Sequence, residues 1–158
     1  MRMSRSANST REAGFTLVEV MTTLTIIGLV AGAVMLAAPG PDMRLRSDVE
    51  RFAARLKLAS DQSVLANRDI AIVSTPEGYH FERLDEDGWR RIENIGPLGF
   101  HPWPGDRAPQ VRGAGEERLA AFDPIGGADP VTLIFGEPTP AWRVEIDEAG
   151  AIRVDHAN

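Results

Sequence analysis

The feature that most constrains this chain is an apolar run of 24 residues from Phe15 to Ala38. As an α-helix the run is about 36 Å long and can therefore cross the roughly 30 Å hydrocarbon core of a bilayer. Its polar members are one acid, Glu19, and four threonines whose hydroxyls can bond back to the helix backbone. The sequence therefore predicts a transmembrane helix over residues 15–38.

The charges that precede the run indicate its orientation. Arg2, Arg5 and Arg11 lie before it, with Glu12 as the one acid among them. Because basic residues beside a membrane span favour the cytoplasmic side, we expect the N-terminus inside and the rest of the chain across the membrane. Residues 39–158 are long enough for one domain of ordinary size.

The predicted exported domain is acidic. Residues 39–158 hold 14 of the 17 Lys and Arg residues and 21 of the 23 Asp and Glu residues, a balance of −7. An acidic surface repels polyanions, so we expect no nucleic acid partner. The chain has no cysteine, which excludes disulfide bonds and leaves stability to packing.

A conventional secretory signal is the alternative interpretation of the N-terminus, with small-residue cleavage patterns around Ala33 or Ala38. Such a signal has an apolar core of about 7–15 residues and needs no acid. The run here is longer and contains Glu19. An acid in a membrane helix normally has a partner charge, and we take this partner to be an α-amino group. These features favour a retained helix.

The start of the apolar run carries a specific motif. The segment Gly14–Glu19 reads Gly-Phe-Thr-Leu-Val-Glu and leads directly into the apolar helix. This pattern resembles the prepilin signature of type IV pilins and of the pseudopilins of type II secretion. The resemblance implies that a membrane prepilin peptidase cuts between Gly14 and Phe15 on the cytoplasmic face. It also implies that this cut removes a leader of residues 1–14 and that the new amine of Phe15 is methylated.

The chemistry of processing and assembly suits these residue types. A glycine before the scissile bond lets the backbone approach catalytic carboxylates closely, so a bulky residue at position 14 should block cleavage. N-methylation keeps the charge of the Phe15 amine, and Glu19 of the same or a neighbouring helix can neutralise it inside a low-dielectric bundle. We therefore predict that Glu19 sets the register between subunits. The alternative is that its carboxylate reaches the membrane interface without a partner.

The rest of the chain predicts an α+β domain. The Pro-Gly-Pro sequence at 39–41 should break the helix, and Asp42 can cap a second, amphipathic helix that packs on an antiparallel β-sheet. The apolar face of this helix comprises Val49, Phe52, Ala53, Leu56, Ala59, Ser63 and Ala66. Strands are predicted over residues 70–73, 79–84, 89–92, 119–122, 131–135, 142–146 and 151–154. The Gly- and Pro-rich residues 96–115 predict a long surface loop with a short edge strand near Val111.

The order of elements from residue 122 to residue 154 is similar to that of H-type pseudopilins and of FimT-type minor pilins. The resemblance implies a minor pseudopilin of the type II secretion system, a structural subunit at the tip of a short periplasmic pseudopilus that assists export of folded proteins across the outer membrane. It implies single-pass anchoring in the inner membrane, with a cytoplasmic N-terminus and a periplasmic domain. The implied partners are the prepilin peptidase, other minor and major pseudopilins, the inner-membrane secretion platform and the lipid bilayer.

Two other functions compete with this interpretation. A FimT-like type IV pilus subunit for pilus assembly or DNA uptake would need exposed basic residues near the C-terminus, where residues 152–158 contain one Arg and one Asp. A membrane-anchored enzyme would need a cleft with convergent titratable groups. His80, His101 and His156 are scattered and no Gly-x-Ser-x-Gly motif is present, so no catalytic residue is predicted.

The sequence also predicts neither a cofactor nor a metal site. Asp85, Asp87, Asp123 and Asp129 lack the ligand spacing of a calcium-binding loop and are interpreted as turn residues. The Gly-Gly pair at 126–127 does not lie between a strand and a helix, as a phosphate-binding loop would. We therefore expect a protein that acts through its surfaces.

Overall fold

The computed structural model describes residues 16–37, 40–93, 96–113, 115, 117–136 and 141–157. The chain divides into two compact units, residues 1–38 and 39–158. Within the described residues the first unit is helix α1, Leu17–Ala37, and the second contains helix α2, Pro41–Ala66, with nine strands. The strands are β1 Ile70–Thr75, β2 Gly78–Asp85, β3 Gly88–Arg91, β4 His101–Pro102, β5 Gln110–Arg112, β6 Arg118–Phe122, β7 Val131–Phe135, β8 Trp142–Ile146 and β9 Ile152–His156.

Helix α1 is apolar on every side. Its segment Leu17–Leu36 is long and apolar enough to cross a membrane by length and composition, and every side chain described in it is exposed. The hydroxyls of Thr22, Thr23 and Thr25 donate to carbonyl oxygens three or four residues earlier, at 2.7–3.0 Å. These bonds confirm that threonine can satisfy its hydroxyl within an apolar helix.

Helix α2 begins differently from the sequence prediction. Asp42 was predicted to cap the helix, and this is wrong: Gly40 occupies the N-cap position without a side-chain bond, and Pro41 is at the first turn. Proline suits this position because its missing N–H would have no helical partner there. Asp42 lies inside the first turn, where its negative charge is favourable. The helix ends at Asn67, which adopts the left-handed conformation with φ 49°.

The predicted apolar face of α2 forms the centre of the domain core. Val49, Phe52, Leu56 and Ala59 are fully buried. Ser63 is buried as well. Its hydroxyl is satisfied there, because it lies 2.7 Å from the Ser60 carbonyl oxygen and 3.0 Å from that of Asp123. Ala53 is half-buried, whereas Ala66, the last predicted member, is exposed at the helix end. The amphipathic helix is therefore confirmed over most of its length.

The strands form two antiparallel sheets. Sheet A has the order β3-β2-β1-β6, with β4 added to the start of β2, and sheet B has the order β5-β7-β8-β9. The predicted antiparallel hairpins are confirmed, and the edge strand near Val111 is β5, which pairs with β7. The hydrophobic pattern does not indicate the division into two sheets, because strands of both sheets contain buried apolar residues, as β1 and β7 show.

The prediction that residues 96–115 form a surface loop is wrong for the first half of that segment. Leu98 and Trp103 are each 2 % exposed and belong to the core. The Trp103 indole N–H donates to the Thr75 carbonyl at 2.9 Å, and its ring lies beside those of Phe52 and Tyr79. The segment is irregular because it is rich in Gly and Pro. Its large apolar side chains are nevertheless buried, because removing their surface from water stabilises the fold.

Candidate assembly site

The first turn of α1 contains the predicted assembly residue. Thr16 precedes the helix, and its hydroxyl accepts a hydrogen bond from the Glu19 amide at 3.2 Å. A Thr followed three residues later by Glu is the capping-box pattern, and Glu19 occupies the position that this pattern gives to the acid. The Thr16 hydroxyl therefore bonds to the helix backbone, as predicted, and does so as an acceptor. Glu19 is held at a helix N-terminus, where a carboxylate is favourable.

The Glu19 carboxylate is available to a partner. Its side chain is exposed, and within the described residues it takes part in no hydrogen bond or ion pair. The Glu19 carbonyl, by contrast, accepts from the hydroxyls of Thr22 and Thr23 at 3.0 and 2.7 Å. Gly14 and Phe15 lie outside the described residues, so the cleavage site and the pairing of Glu19 with the Phe15 amine stay predictions.

The start of α2 is fixed to sheet B by a cluster that no pattern in the sequence predicts. The Trp142 indole N–H donates to the Asp42 carboxylate at 3.3 Å, and the Arg46 guanidinium lies 5.5 Å from the centroid of the same indole. The ring of His156 lies against the Trp142 indole, and the two ring centroids are 3.9 Å apart. Arg46 also pairs with Glu50 at 2.8 Å, which raises the pKa of Arg46.

This cluster has no local sequence signal. Asp42 and Trp142 are 100 residues apart, so no spacing along one helix or strand connects them. The only available indication is the general tendency of a buried indole N–H to find an acceptor. The cluster fixes the point at which the chain enters the domain, because α2 begins at Pro41.

The three histidines lie in separate places. His80 is buried on β2, His101 is beside Tyr79, and His156 is beside Trp142. Burial, together with the nearby Arg55 charge, lowers the pKa of His101. Burial also raises the pKa of Tyr79, whose hydroxyl accepts from Arg55 at 3.1 Å. His101, Tyr79 and Arg55 line one shallow pocket, which neither His80 nor His156 lines, so the three histidines share no cleft.

The aspartates considered for calcium serve other roles. Asp85 accepts from the Arg83 side chain at 2.8 Å, and this bond lowers the pKa of Asp85. Asp123 Oδ1 accepts from two backbone amides of its own loop at 3.0 and 2.7 Å. Asp129 accepts from the Ala121 amide at 3.1 Å, whereas Asp87 is an exposed turn residue that lies 3.8 Å from Arg90. Among the described residues, no group of three or more His, Cys, Asp or Glu side chains could hold a metal ion.

Comparison with protein-family models decides the family. The model of the type II transport protein GspH matches residues 48–150, which include most of α2 and all but the last strand. This chain belongs to the GspH family. A second model, the prokaryotic N-terminal methylation motif, matches residues 9–35 of this GspH-family chain.

Individual relatives agree with this assignment. The chain is 26 % identical to the type II secretion system protein H of Klebsiella michiganensis over 175 residues, covering 90 % of this chain and 94 % of that protein. It is 30 % identical to the protein H of Klebsiella pneumoniae, with 90 % of each chain covered. The structure of the minor pseudopilin EpsH of Vibrio cholerae shares the fold, with a TM-score of 0.61, 20 % identity and coverage of 72 % of this chain and 97 % of EpsH.

Family membership confirms the main predictions from the sequence. The α+β pilin-like fold and the resemblance to H-type pseudopilins are confirmed. The GspH family comprises structural subunits of a secretion system, so the chain is not an enzyme, and the secretion interpretation is favoured over the FimT-like one. The methylation motif and the apolar helix indicate prepilin processing, assembly with other pilins and single-pass anchoring of a periplasmic domain.

Proposed function

We propose that this GspH-family chain is a minor pseudopilin at the tip of the type II secretion pseudopilus. There it assists export of folded proteins across the outer membrane. The single observation that carries the proposal is the GspH match over residues 48–150, joined in one chain to a methylation motif over residues 9–35. The domain contributes surfaces and no chemistry. Motion of the fibre is driven by a separate motor, and the chain supplies a structural subunit.

The proposal divides the chain into three parts. Residues 1–14 are a leader that the prepilin peptidase removes, residues 15–38 are the transmembrane helix, and residues 39–158 are the periplasmic domain. The cut lies between Gly14 and Phe15, and Phe15 is N-methylated. The motif match and the exposed, largely apolar surface of α1 support this division.

Glu19 is proposed to guide assembly. In the hydrocarbon region an unpaired carboxylate is costly, and the methylated amine of Phe15 of the same or a neighbouring subunit offers the compensating charge. The exposed Glu19 side chain at the start of α1, which has no partner among the residues that the structure describes, supports this role. The partners in this step are the other minor and major pseudopilins, held by the inner-membrane secretion platform and the bilayer.

Mass spectrometry of the membrane-extracted protein tests the processing step. We expect a chain that lacks residues 1–14 and carries one methyl group on Phe15. An intact N-terminus, or a cut near Ala33 or Ala38, would contradict this scheme and favour a conventional signal.

A substitution that removes one charge tests the assembly step. Glu19→Gln should leave processing intact but reduce both export and co-purification with other pseudopilins, because the Phe15 amine loses its partner. The matched control is Glu77→Gln, which removes a charge from an exposed turn of the periplasmic domain. Export at the wild-type level with Gln at position 19 would overturn the proposed role of Glu19.

A further inference from the structure

Sheet A has two unlike faces. Tyr79 and Phe81 of β2 point to the core beneath α2, where both are fully buried. Alternate residues of the same strand therefore point to the opposite, outer face. Strand pairing places Arg91 opposite Glu82 on this outer face, and it places Trp89 two positions away. Arg118 of β6 reaches the same face from the other side of the sheet.

The outer face carries two stacked pairs of an arginine and an aromatic ring. The Arg118 guanidinium lies 4.9 Å from the Trp89 ring centroid, and the Arg91 guanidinium lies 6.0 Å from that of Phe100. We call Glu82, Trp89, Arg91, Phe100 and Arg118 the Arg–aromatic face. Stacking on a ring is favourable for a guanidinium and leaves its edge free to donate hydrogen bonds.

Arg118 is held from beneath as well as from the side. Its guanidinium donates to Glu82 Oε2 at 3.1 Å, and Glu82 Oε1 lies 3.5 Å from Nε2 of the buried His80. The Glu82 side chain is only 18 % exposed, whereas that of Arg118 is 44 % exposed. The Arg118 guanidinium is therefore accessible to solvent, whereas the Glu82 carboxylate that pairs with it is mostly buried. A guanidinium fixed in this way loses little entropy when it binds a second carboxylate.

The charge of this face is opposite to that of the domain around it. Two arginines face outward against one recessed glutamate, in a segment that has 14 basic and 21 acidic residues. Phe100 is 46 % exposed beside them. Arginine and aromatic side chains are the residue types most often found at the energetic centre of protein interfaces. The two outward guanidinium groups complement carboxylates, and a compact acidic patch of a protein can reach them. An extended polyanion such as DNA or an anionic lipid surface would also meet the acidic surroundings.

We propose that the Arg–aromatic face docks an acidic surface of a neighbouring pilin-like subunit. Partner carboxylates pair with the free edges of Arg91 and Arg118, and partner apolar groups pack on Phe100 and Trp89. This docking rests on the proposed function, because it requires that the chain assembles with other pilin-like subunits. Because the rest of the exterior is acidic, an acidic partner that approaches any other part of the domain is repelled.

Site-specific photo-crosslinking tests the docking surface in cells that contain the complete secretion system. p-Benzoylphenylalanine replaces Phe100, an aromatic-for-aromatic change at a half-exposed position. We expect ultraviolet light to yield an adduct with another pilin-like subunit, attached near Asp or Glu residues in peptide mass spectra. Arg91→Gln combined with Arg118→Gln should lower the adduct yield about tenfold or more, since interface arginines are frequent hot spots. The matched control is Arg107→Gln, which removes an exposed arginine elsewhere and should leave the yield unchanged.

A second probe separates failure of the docking surface from failure of the proposed function. The same photoreactive residue at Val30, on the exposed surface of α1, should capture pilin-like subunits whether or not the Arg–aromatic face is used. Capture from Val30 without capture from Phe100 would overturn the docking surface and leave the proposed function standing. Adducts of the Phe100 probe with DNA or lipid, or adducts that the arginine variants do not weaken, would also overturn it. Capture from neither position would contradict both proposals.

Discussion

The two helices have similar lengths and opposite relations to their surroundings. Helix α1 has 21 residues and leaves every described side chain exposed, whereas α2 has 26 residues and buries Val49, Phe52, Leu56 and Ala59 completely. The apolar residues of α1 surround the helix, and those of α2 form one stripe between charged residues. A stripe needs one partner surface, and the chain's own sheets provide it.

The two helices therefore obtain their stability from different sources. The core beneath α2 is made by the chain itself, so its energy appears in the folding equilibrium of the domain. An apolar surface on all sides of a helix as long as α1 suits lipid or the helices of other subunits. Substitutions in α1 should therefore change insertion and assembly, and substitutions in α2 should change unfolding.

The largest effect is expected in the stripe of α2. Phe52→Ala removes edge contacts with Tyr79 and Phe135 and leaves a cavity, so the free energy of unfolding should fall by about 3–5 kcal/mol. Chemical denaturation of the detergent-solubilised protein measures this loss. Leu65→Ala on the exposed side of the same helix is the control and should change stability by less than about 0.5 kcal/mol. Equal losses in the two variants would break the proposed division of α2 into two faces.

A charge in the middle of α1 should produce the converse result. Val30→Arg should oppose membrane insertion by about 2.5–3.5 kcal/mol, so more protein is released from membranes by alkaline carbonate. The melting temperature of the periplasmic domain should not change, because Val30 lies outside its core. Val30→Leu keeps the helix apolar and should behave as the wild type. A lower melting temperature with normal insertion would refute the assignment of the two helices.

A smaller loss tests how firmly the start of α2 is attached. Trp142→Phe keeps a ring but removes the indole N–H that donates to Asp42, so we expect a loss of about 0.5–1.5 kcal/mol of unfolding free energy. Trp89→Phe is the control, because its N–H has no hydrogen-bond partner among the described residues. A result in which Trp89→Phe costs as much as Trp142→Phe would show that the bond to Asp42 does not matter.

The smallest effect concerns pH. Burial lowers the pKa of His101 below its ordinary value of 6.5, so the unfolded chain takes up this proton more readily than the folded domain. The stability that the neutral His101 contributes is therefore present above about pH 6.5 and is lost as the pH falls through the folded-state pKa. Thermal unfolding between pH 7.5 and 5.5 should show this decline, and His101→Gln should make the decline shallower. An unchanged pH profile in the variant would assign the titration to other groups.

Local patterns in the sequence predicted the elements that depend on neighbouring residues. The apolar stripe of α2 follows from spacing, and the hairpin at Asp147–Gly150 follows from turn residues, because both are set within a few positions of the chain. The Gly14–Glu19 motif is equally local, so the sequence alone predicts the candidate site, and the roles of Gly14, Phe15 and Glu19 stay predictions.

Contacts between distant segments could not be predicted in this way. The residues next to Asp42 predict a helix cap, whereas the hydrogen-bond partner of its side chain is Trp142. Trp103 lies in a segment whose Gly and Pro content indicates a surface loop, and nothing nearby shows that its ring fills the space beside Phe52. The pairs Arg118–Trp89 and Arg91–Phe100 likewise depend on how strands are ordered in sheet A.

Gly78 shows how a position without a side chain can govern a distant part of the domain. A Cβ atom here would collide with the backbone carbonyl of His101, which crosses the start of β2. Displacement of that backbone would carry Trp103 with it and withdraw the indole from the Thr75 carbonyl. Library selection for stable variants should therefore recover one residue at position 78 while permitting wide variation at its exposed neighbour Glu77.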